Sequence, residues 1–337
     1  MKDIRTANDI SGLWAAVPMT WTSTGRLDEA MFGRNLERLA GVPCDGIYST
    51  DSDGEFYALE LDEFQEFVGV FAKRMADLPC GIQVGVTWTN TQGIVDRIKV
   101  CLDHGISAVH ICYPYWMPLN QQDVKQFWLD LATAVPRSRW IHYNTPRGHV
   151  KMTGADYQLL SDQYPEQFIG TKLGSQNFLE LSEIIFSTPF LAHVLTDFTV
   201  VPGMMLGGRG TYSFWANTLP GWQRRLVDLC LAGQWEEAMK MQSKFNAWET
   251  TCVEPLVRRG YLHGIVGKAR CAASGFLEDN GFTRAPYQPV PTENVRQLAN
   301  DFCKWWSVEL NAESFSHNDD SSMQPRSLTQ NQRTTNV

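Results

Sequence analysis

Apolar residues recur along this chain in two alternating modes: short continuous runs, and longer stripes at helical spacing. The first run is GLWAAVPM, residues 12–19, and a run of that length bounded by turn residues predicts a strand buried on both faces. Asp28 opens a polar start, after which Met31, Leu36, Leu39 and Ala40 recur as one helical face. The alternation continues, with strands predicted over 45–49, 81–87, 108–112, 139–143, 168–172, 190–195 and 210–214. Helices are predicted between them over 62–75, 91–104, 123–134, 154–163, 178–186 and 201–206. In the 62–75 helix, Phe64, Phe67, Val68 and Phe71 fall on one side.

Strands alternating with helices at even intervals predict a parallel sheet with right-handed crossovers. Eight such units predict closure into a (β/α)8 TIM barrel. No G-x-G-x-x-G opens the first unit, which disfavours a dinucleotide fold. Three further helices are predicted over 222–232, 235–248 and 254–273, then an extended PYQPVP link and a last helix over 292–306. From Asn311 onward almost nothing is apolar, so residues 311–337 are expected to be a disordered tail without function of its own. The expected organisation is a barrel over 1–220 and a helical extension packed on it over 221–310.

Composition narrows the classes. The 337 residues are 43% hydrophobic and 20% charged, enough for a sizeable core. A formal charge of -8 argues against nucleic acid or an anionic membrane as the main partner. The eight cysteines form no C-x-x-C pair and no zinc spacing. They read as reduced core residues of an intracellular protein. The N-terminus has no apolar signal core, and no apolar run approaches membrane-span length, so a cytoplasmic location is expected.

The candidate chemistry centres on FIGTK, residues 168–172, a buried-strand pattern that ends in lysine. Burial there would depress the lysine pKa and free the amine to attack a carbonyl. Active sites of such barrels lie at the C-terminal ends of the strands. That rule selects the DSDGE segment, Trp88 to Asn90, Tyr115 and Trp116, Tyr143 and Asn144, Lys172, Asp197, and Trp215 and Asn217. The set has no metal-like carboxylate pair, no G-x-S-x-G elbow and no P-loop. A lysine with a phenol on the neighbouring strand suits imine chemistry, in which the protonated imine is the electron sink and the tyrosine moves protons.

YNTP (143–146), FIGTK, LGGRG (206–210) and DGE (53–55) occur in an order and spacing that resemble the dihydrodipicolinate synthase and N-acetylneuraminate lyase family of class I pyruvate-type aldolases. The resemblance spans the barrel and the helices that follow. It implies a (β/α)8 barrel, usually tetrameric, with Lys172 as the Schiff-base lysine and Tyr143 as the proton-relay phenol, and neither metal nor organic cofactor. TNT (89–91), PYW (114–116) and KARCAASGF…RAPYQPVP are similar to the branch of hydratase-aldolases that cleave benzylidenepyruvates. Trp116 stands where the lysine-pathway synthases carry a relay tyrosine, and it offers a flat apolar wall for an aryl group.

Two departures stand out. The family usually has two small residues before Gly-Glu to bind the pyruvate carboxylate, whereas this chain has Ser52 and Asp53. An ionised Asp53 facing a carboxylate would be repulsive. Either it turns away, leaving Ser52 and backbone amides to bind, or the substrate is not an ordinary 2-oxo acid. Arg147 falls one place early relative to the synthases' arginine, so that role is not transferred to it.

The resulting expectation is a lyase in which Lys172 attacks a 2-oxo acid and Tyr143 carries protons. Ser52 and Asp53 lie at the carboxylate, Trp88, Trp116 and Tyr212 shape the aldehyde pocket, and Asn217 lies nearby. The expected partners are a small-molecule 2-oxo acid, preferably an arylidene pyruvate, and further copies of the chain. Rival expectations are an aldolase or dehydratase of sugar-derived 2-oxo acids, and an inactive barrel kept for binding or assembly.

Overall fold

Eight parallel strands close into a barrel in chain order, with the last pairing to the first. They are β1 (Gly12–Ala16), β2 (Gly46–Ser49), β3 (Gly81–Gly85), β4 (Ala108–Ile111), β5 (Arg139–Asn144), β6 (Phe168–Leu173), β7 (Ala192–Thr196) and β8 (Gly210–Ser213). The helices α1 (Glu29–Ala40), α2 (Leu61–Met75), α3 (Thr91–Asp103), α4 (Gln121–Ala134), α5 (Gly154–Gln163), α6 (Phe178–Ser187) and α7 (Val200–Met205) connect them. The fold is therefore the (β/α)8 barrel that the alternation predicts. The computed structural model describes residues 2–174 and 176–316.

Parallel strands covered by helices outside and packed side chains inside are buried on both faces. That is the burial of β1, β2, β3, β4, β6 and β8. Inward residues are unusually aromatic. His110 and Tyr212 lie 4.6 Å apart by ring centroid, Tyr48 and Tyr212 5.0 Å, and Trp14 and Tyr212 6.1 Å. Trp14 needs room across the barrel, and Gly46 supplies it: a Cβ there would lie 2.2 Å from the indole ring.

Several boundaries differ from those predicted. β1 stops at Ala16, because Pro18 has no N–H to extend a ladder. The helix predicted over 254–273 is two. A π-helical turn (Glu249–Val253) leads into α10 (Glu254–Arg258), Gly260 at φ +95° turns the chain, and α11 (His263–Ser274) follows. The last helix, α12 (Thr292–Ser316), outruns its predicted end and has a non-helical Trp306 inside it. The stretch expected to be disordered from residue 311 is thus helical to Ser316, consistent with good helix formers at Ala312 and Glu313. Residues 317–337 of that expected tail lie outside the described residues.

α8 (Pro220–Leu231), α9 (Trp235–Trp248) and α12 meet the barrel at an aromatic cluster. Trp215, just past β8, lies 4.9 Å from Trp248, 5.0 Å from Trp306 and 5.2 Å from Phe245. These rings are fully buried. Truncating a buried aromatic at such a junction costs about 3–5 kcal/mol. Trp306→Ala is accordingly expected to lower the unfolding free energy by about that amount, read from urea denaturation, with loss of both barrel and helix signal in one transition.

Candidate active site

Lys172 is delivered by β6 and Tyr143 by β5, and the two are direct register partners. Both side chains point into the barrel mouth. Lys172 is 1% exposed, and its Nζ lies 4.4 Å from the Tyr143 ring centroid, 4.6 Å from Tyr48 and 5.5 Å from Tyr212. An ammonium enclosed by three phenol rings gains cation–π attraction but remains expensive to desolvate.

What compensates it is a carboxylate. Lys172 Nζ donates to Asp51 Oδ2 at 2.8 Å, and more weakly to the Tyr48 hydroxyl at 3.3 Å. Burial alone would push the lysine pKa down. Asp51, helped by Tyr48, Tyr143 and Asp53, outweighs burial and holds it well above the ordinary lysine range. The depressed pKa expected from the sequence is therefore reversed. Burial would likewise raise Asp51, but Lys172 and His110 overcome it and hold the carboxyl well below its ordinary value.

Asp51 reaches the lysine because the backbone before it is strained. Thr50 has φ 68°, an unusual conformation for a β-branched residue. Its hydroxyl secures the bend by donating to the Gly85 carbonyl at 2.7 Å. A Cβ on Gly85 would fall 2.5 Å from Asp51 Oδ1, so that glycine leaves the carboxylate its space. Behind Asp51, His110 Nδ1 lies 2.6 Å from the same Oδ2, and His110 Nε2 lies 2.6 Å from Gln83 Oε1. Tyr212 donates to that Gln83 oxygen at 2.7 Å. Apart from Lys172 and Tyr212, none of this network was assigned a role in the sequence reading. The DSDGE segment drew attention, but strand alternation points Asp51 outward, and only the left-handed Thr50 turns it in.

The same loop ends on a second left-handed residue, Glu55 at φ 52°. Glu55 anchors this end of the loop. It does so through side chains: Trp21 Nε1 donates to it at 3.0 Å, and it forms a buried ion pair with Lys268 of α11.

A cavity of about 710 Å³ opens above Lys172. Ser52, Asp53, Tyr143, Lys172 and Tyr212 all line it, as does Arg147. The remaining expected pocket residues do not. Trp116 is 74% exposed on the loop after β4. Trp88 packs flat against Arg97, whose guanidinium carbon lies 3.5 Å from the ring centroid. Asn217 is fully buried, and its amide donates to the Ala16 carbonyl, tying the turn after β8 to β1. Asp197 does border the cavity but is occupied structurally, accepting from the amides of Phe214 and Trp215 at 2.8 and 2.9 Å.

Sequence reasoning also missed the far wall, which comes from the C-terminal helices. Glu249 and Thr250 of the π-turn, and His263, Val266 and Arg270 of α11, line the cavity with Phe198 and Phe214. Arg270 pairs with Glu249 and lies over the Phe214 ring. Asp53 acts electrostatically on both His263 and Arg270. KARCAASGF carried only Arg270 of these residues, and nothing in its pattern says which side of α11 faces the barrel mouth. Among the described residues, no three His, Cys, Asp or Glu side chains are grouped to hold a metal ion, and no helix is long and apolar enough to cross a membrane.

The dihydrodipicolinate synthetase family model matches residues 9–303. The chain belongs to that family. A 4-hydroxy-tetrahydrodipicolinate synthase of Methanosarcina barkeri is 26% identical over 306 residues, covering 88% of this chain and 99% of its own. A trans-O-hydroxybenzylidenepyruvate hydratase-aldolase of Pseudomonas aeruginosa is 24% identical over 311 residues, covering 86% of this chain and 90% of its own. YagE, a prophage protein from E. coli K12 solved in complex with pyruvate, shares the fold with a TM-score of 0.79 at 18% identity, over 88% of this chain and 98% of its own. As a family member the protein is a class I, Schiff-base-forming lyase of the pyruvate type. The reading of the barrel as an inactive binding protein is set aside on that ground.

Removing one partner of a buried ion pair strands the other, at a cost of about 3–5 kcal/mol. Lys268→Met is expected to destabilise the protein by that amount in urea. Adding Glu55→Gln should recover part of the loss, because the stranded charge is then gone. Additive losses would show that Glu55 and Lys268 do not act as a pair.

Proposed function

We propose that Lys172 is the imine-forming amine of a lyase that cleaves a 2-oxo acid, with Tyr143 as its proton carrier. The observation that supports this most is the buried Lys172 amine at the floor of the cavity, with its register partner Tyr143 against it. Nζ attacks the ketone carbon, Tyr143 protonates the departing oxygen, and the resulting iminium draws electrons from the bond that breaks. Tyr143 then takes the proton of the hydroxyl that becomes the aldehyde, and the enamine left on Lys172 picks up a proton and hydrolyses to pyruvate. Ser52, on the cavity wall beside the lysine, is assigned to the carboxylate. Asp53 is assigned to the cavity wall near His263 and Arg270, where positive charge offsets it.

For the aldehyde half we propose an aryl group, so that the substrate is an arylidene pyruvate: one water adds across its carbon–carbon double bond, conjugated to the iminium, to supply the hydroxyl, and cleavage of the hydrated adduct then releases an aromatic aldehyde and pyruvate. Phe198, Phe214, Val253, Val257 and Val266 supply apolar lining for it, in place of Trp88 and Trp116. The rival, a sugar-derived 2-oxo acid, is favoured by one specific feature of the same wall: Arg147, His263 and Arg270 could hold hydroxyls. We also propose a homotetramer. The exposed Trp116 and Met117, and Phe178, Leu179 and Phe186 on α6, are apolar surface that assembly would cover.

Borohydride reduction in the presence of pyruvate should leave a covalent adduct, seen by intact mass and absent from Lys172→Ala. No adduct across a panel of 2-oxo acids would overturn the reading. Tyr143→Phe is expected to lower kcat by about 10²–10⁴-fold. Release of pyruvate from arylidene pyruvates should outpace release from sugar-acid aldols; the reverse order selects the rival substrate.

A further inference from the structure

Asp51 is the closest charged group to the Lys172 amine, and several features fix it there. One oxygen, Oδ2, is shared between Lys172 Nζ at 2.8 Å and His110 Nδ1 at 2.6 Å. Thr50 is held in a left-handed conformation immediately before it, and Gly85 leaves its other oxygen room. Both members of the pair are almost fully buried. A carboxylate placed by backbone strain against the reacting nitrogen is more than a packing device, since strain of this kind is retained where the surrounding structure needs it.

We propose that Asp51 is a catalytic residue: its carboxylate is the counter-ion of Lys172 throughout the reaction, pairing with the ammonium of the free protein and with the iminium of the covalent intermediate. This rests on the reading of Lys172 as the imine-forming lysine. The charge balance of the step requires such a group. The ammonium and the ketone condense by forming the Nζ–carbon bond and breaking the carbon–oxygen bond. Two of the three ammonium protons leave with the oxygen as water, and the third stays on the iminium nitrogen. Nitrogen carries one positive charge before and after, so a fixed carboxylate serves both states without reorganising. A neutral amine arises only between them, when a proton is handed on.

A consequence is that Asp51 sets the pH at which the amine becomes nucleophilic. The groups facing Nζ come from four elements: Tyr48 on β2 with Asp51 and Asp53 after it, Tyr143 on β5, and Tyr212 on β8, with His110 of β4 behind Asp51. Burial holds Tyr48 and Tyr212 above their ordinary range, which disfavours their phenolate forms. His110 is held below its ordinary value by burial, with Asp51 opposing. The negative charge that keeps the ammonium is therefore chiefly that of Asp51. Without it, burial meets only the weaker opposition of the other facing groups and the lysine pKa falls, which raises the neutral fraction at lower pH.

The test is cyanoborohydride trapping of the pyruvate adduct on the full chain, from roughly pH 6 to 11, in the wild type, Asp51→Asn and Asp51→Ser, the midpoint being the pH at which trapping reaches half its rate at the alkaline end of that range. The wild-type trapping rate should rise toward the alkaline end. In both variants the midpoint should move down by at least about one pH unit. Turnover at saturating substrate should fall about 10²-fold, because the iminium has lost its counter-ion. A purely structural Asp51 would change the amount of folded protein, measured by thermal melting, and leave the midpoint in place. Two different side chains are used so that a folding defect in one does not end the test. An unchanged midpoint in the folded variants overturns the proposal. No adduct in the wild type at any pH would instead sink the imine reading of Lys172.

Discussion

The pairing of Lys172 with Asp51 is the constraint around which the barrel mouth is arranged. Each charge alone would cost several kcal/mol to remove from water, and neither could stay ionised unpaired at that depth. β6 brings the lysine to the end of its strand, and the strained Thr50 turns the carboxylate in to meet it. The aromatic rings of Tyr48, Tyr143 and Tyr212 keep water away from the pair while offering their faces to the ammonium. Polar continuity then runs inward through His110 and Gln83 to the hydroxyl of Tyr212. These polar groups serve one another in a region otherwise packed with rings, save the buried Gln83 amide nitrogen, which has no hydrogen-bond partner among the described residues.

A strained loop holds its shape only if something over-determines it, and here the C-terminal helices do so. Glu55, at the far end of the loop, is gripped by Trp21 and by Lys268 of α11. Arg284, beyond α11, donates to the Ala58 carbonyl at 2.8 Å and pairs with Glu63 of α2. The same helices anchor to the barrel through the rings around Trp215. They are therefore part of the site as well as its support, contributing Glu249, His263 and Arg270 to the cavity wall. Stability and chemistry are coupled through one loop of six residues from Thr50 to Glu55.

Two aspartates one residue apart have different situations in this loop. Asp53 faces the open cavity, within the field of His263 and Arg270, while Asp51 lies beneath it on the lysine. The anion that touches the amine is thus the protein's own. The approach to it is lined by charges of both signs, with apolar rings further out, a surface that discriminates by shape and by compensation of charge.

How much of this was legible in the chain follows from the range of the forces involved. Runs such as FIGTK and GIQVG alternate with helical stripes, and burial on both faces of a parallel strand needs no knowledge of distant partners to leave that mark. The eight-fold barrel, Lys172 and Tyr143 as strand-end neighbours, and the polar loop at 51–55 were all visible that way. Helix ends that depend on one glycine's left-handed turn, as at Gly260, were not. Nor was the identity of the wall: Trp88, Trp116 and Asn217 sit at the right strand ends, yet side-chain direction sends one onto Arg97, one to the surface and one into the core. The sequence by itself determined the barrel and the depth of its lysine. Only the tertiary structure decided that the lysine is held as an ammonium, because the carboxylate that does so comes from another strand, 121 residues away, through a backbone bend that no local pattern encodes.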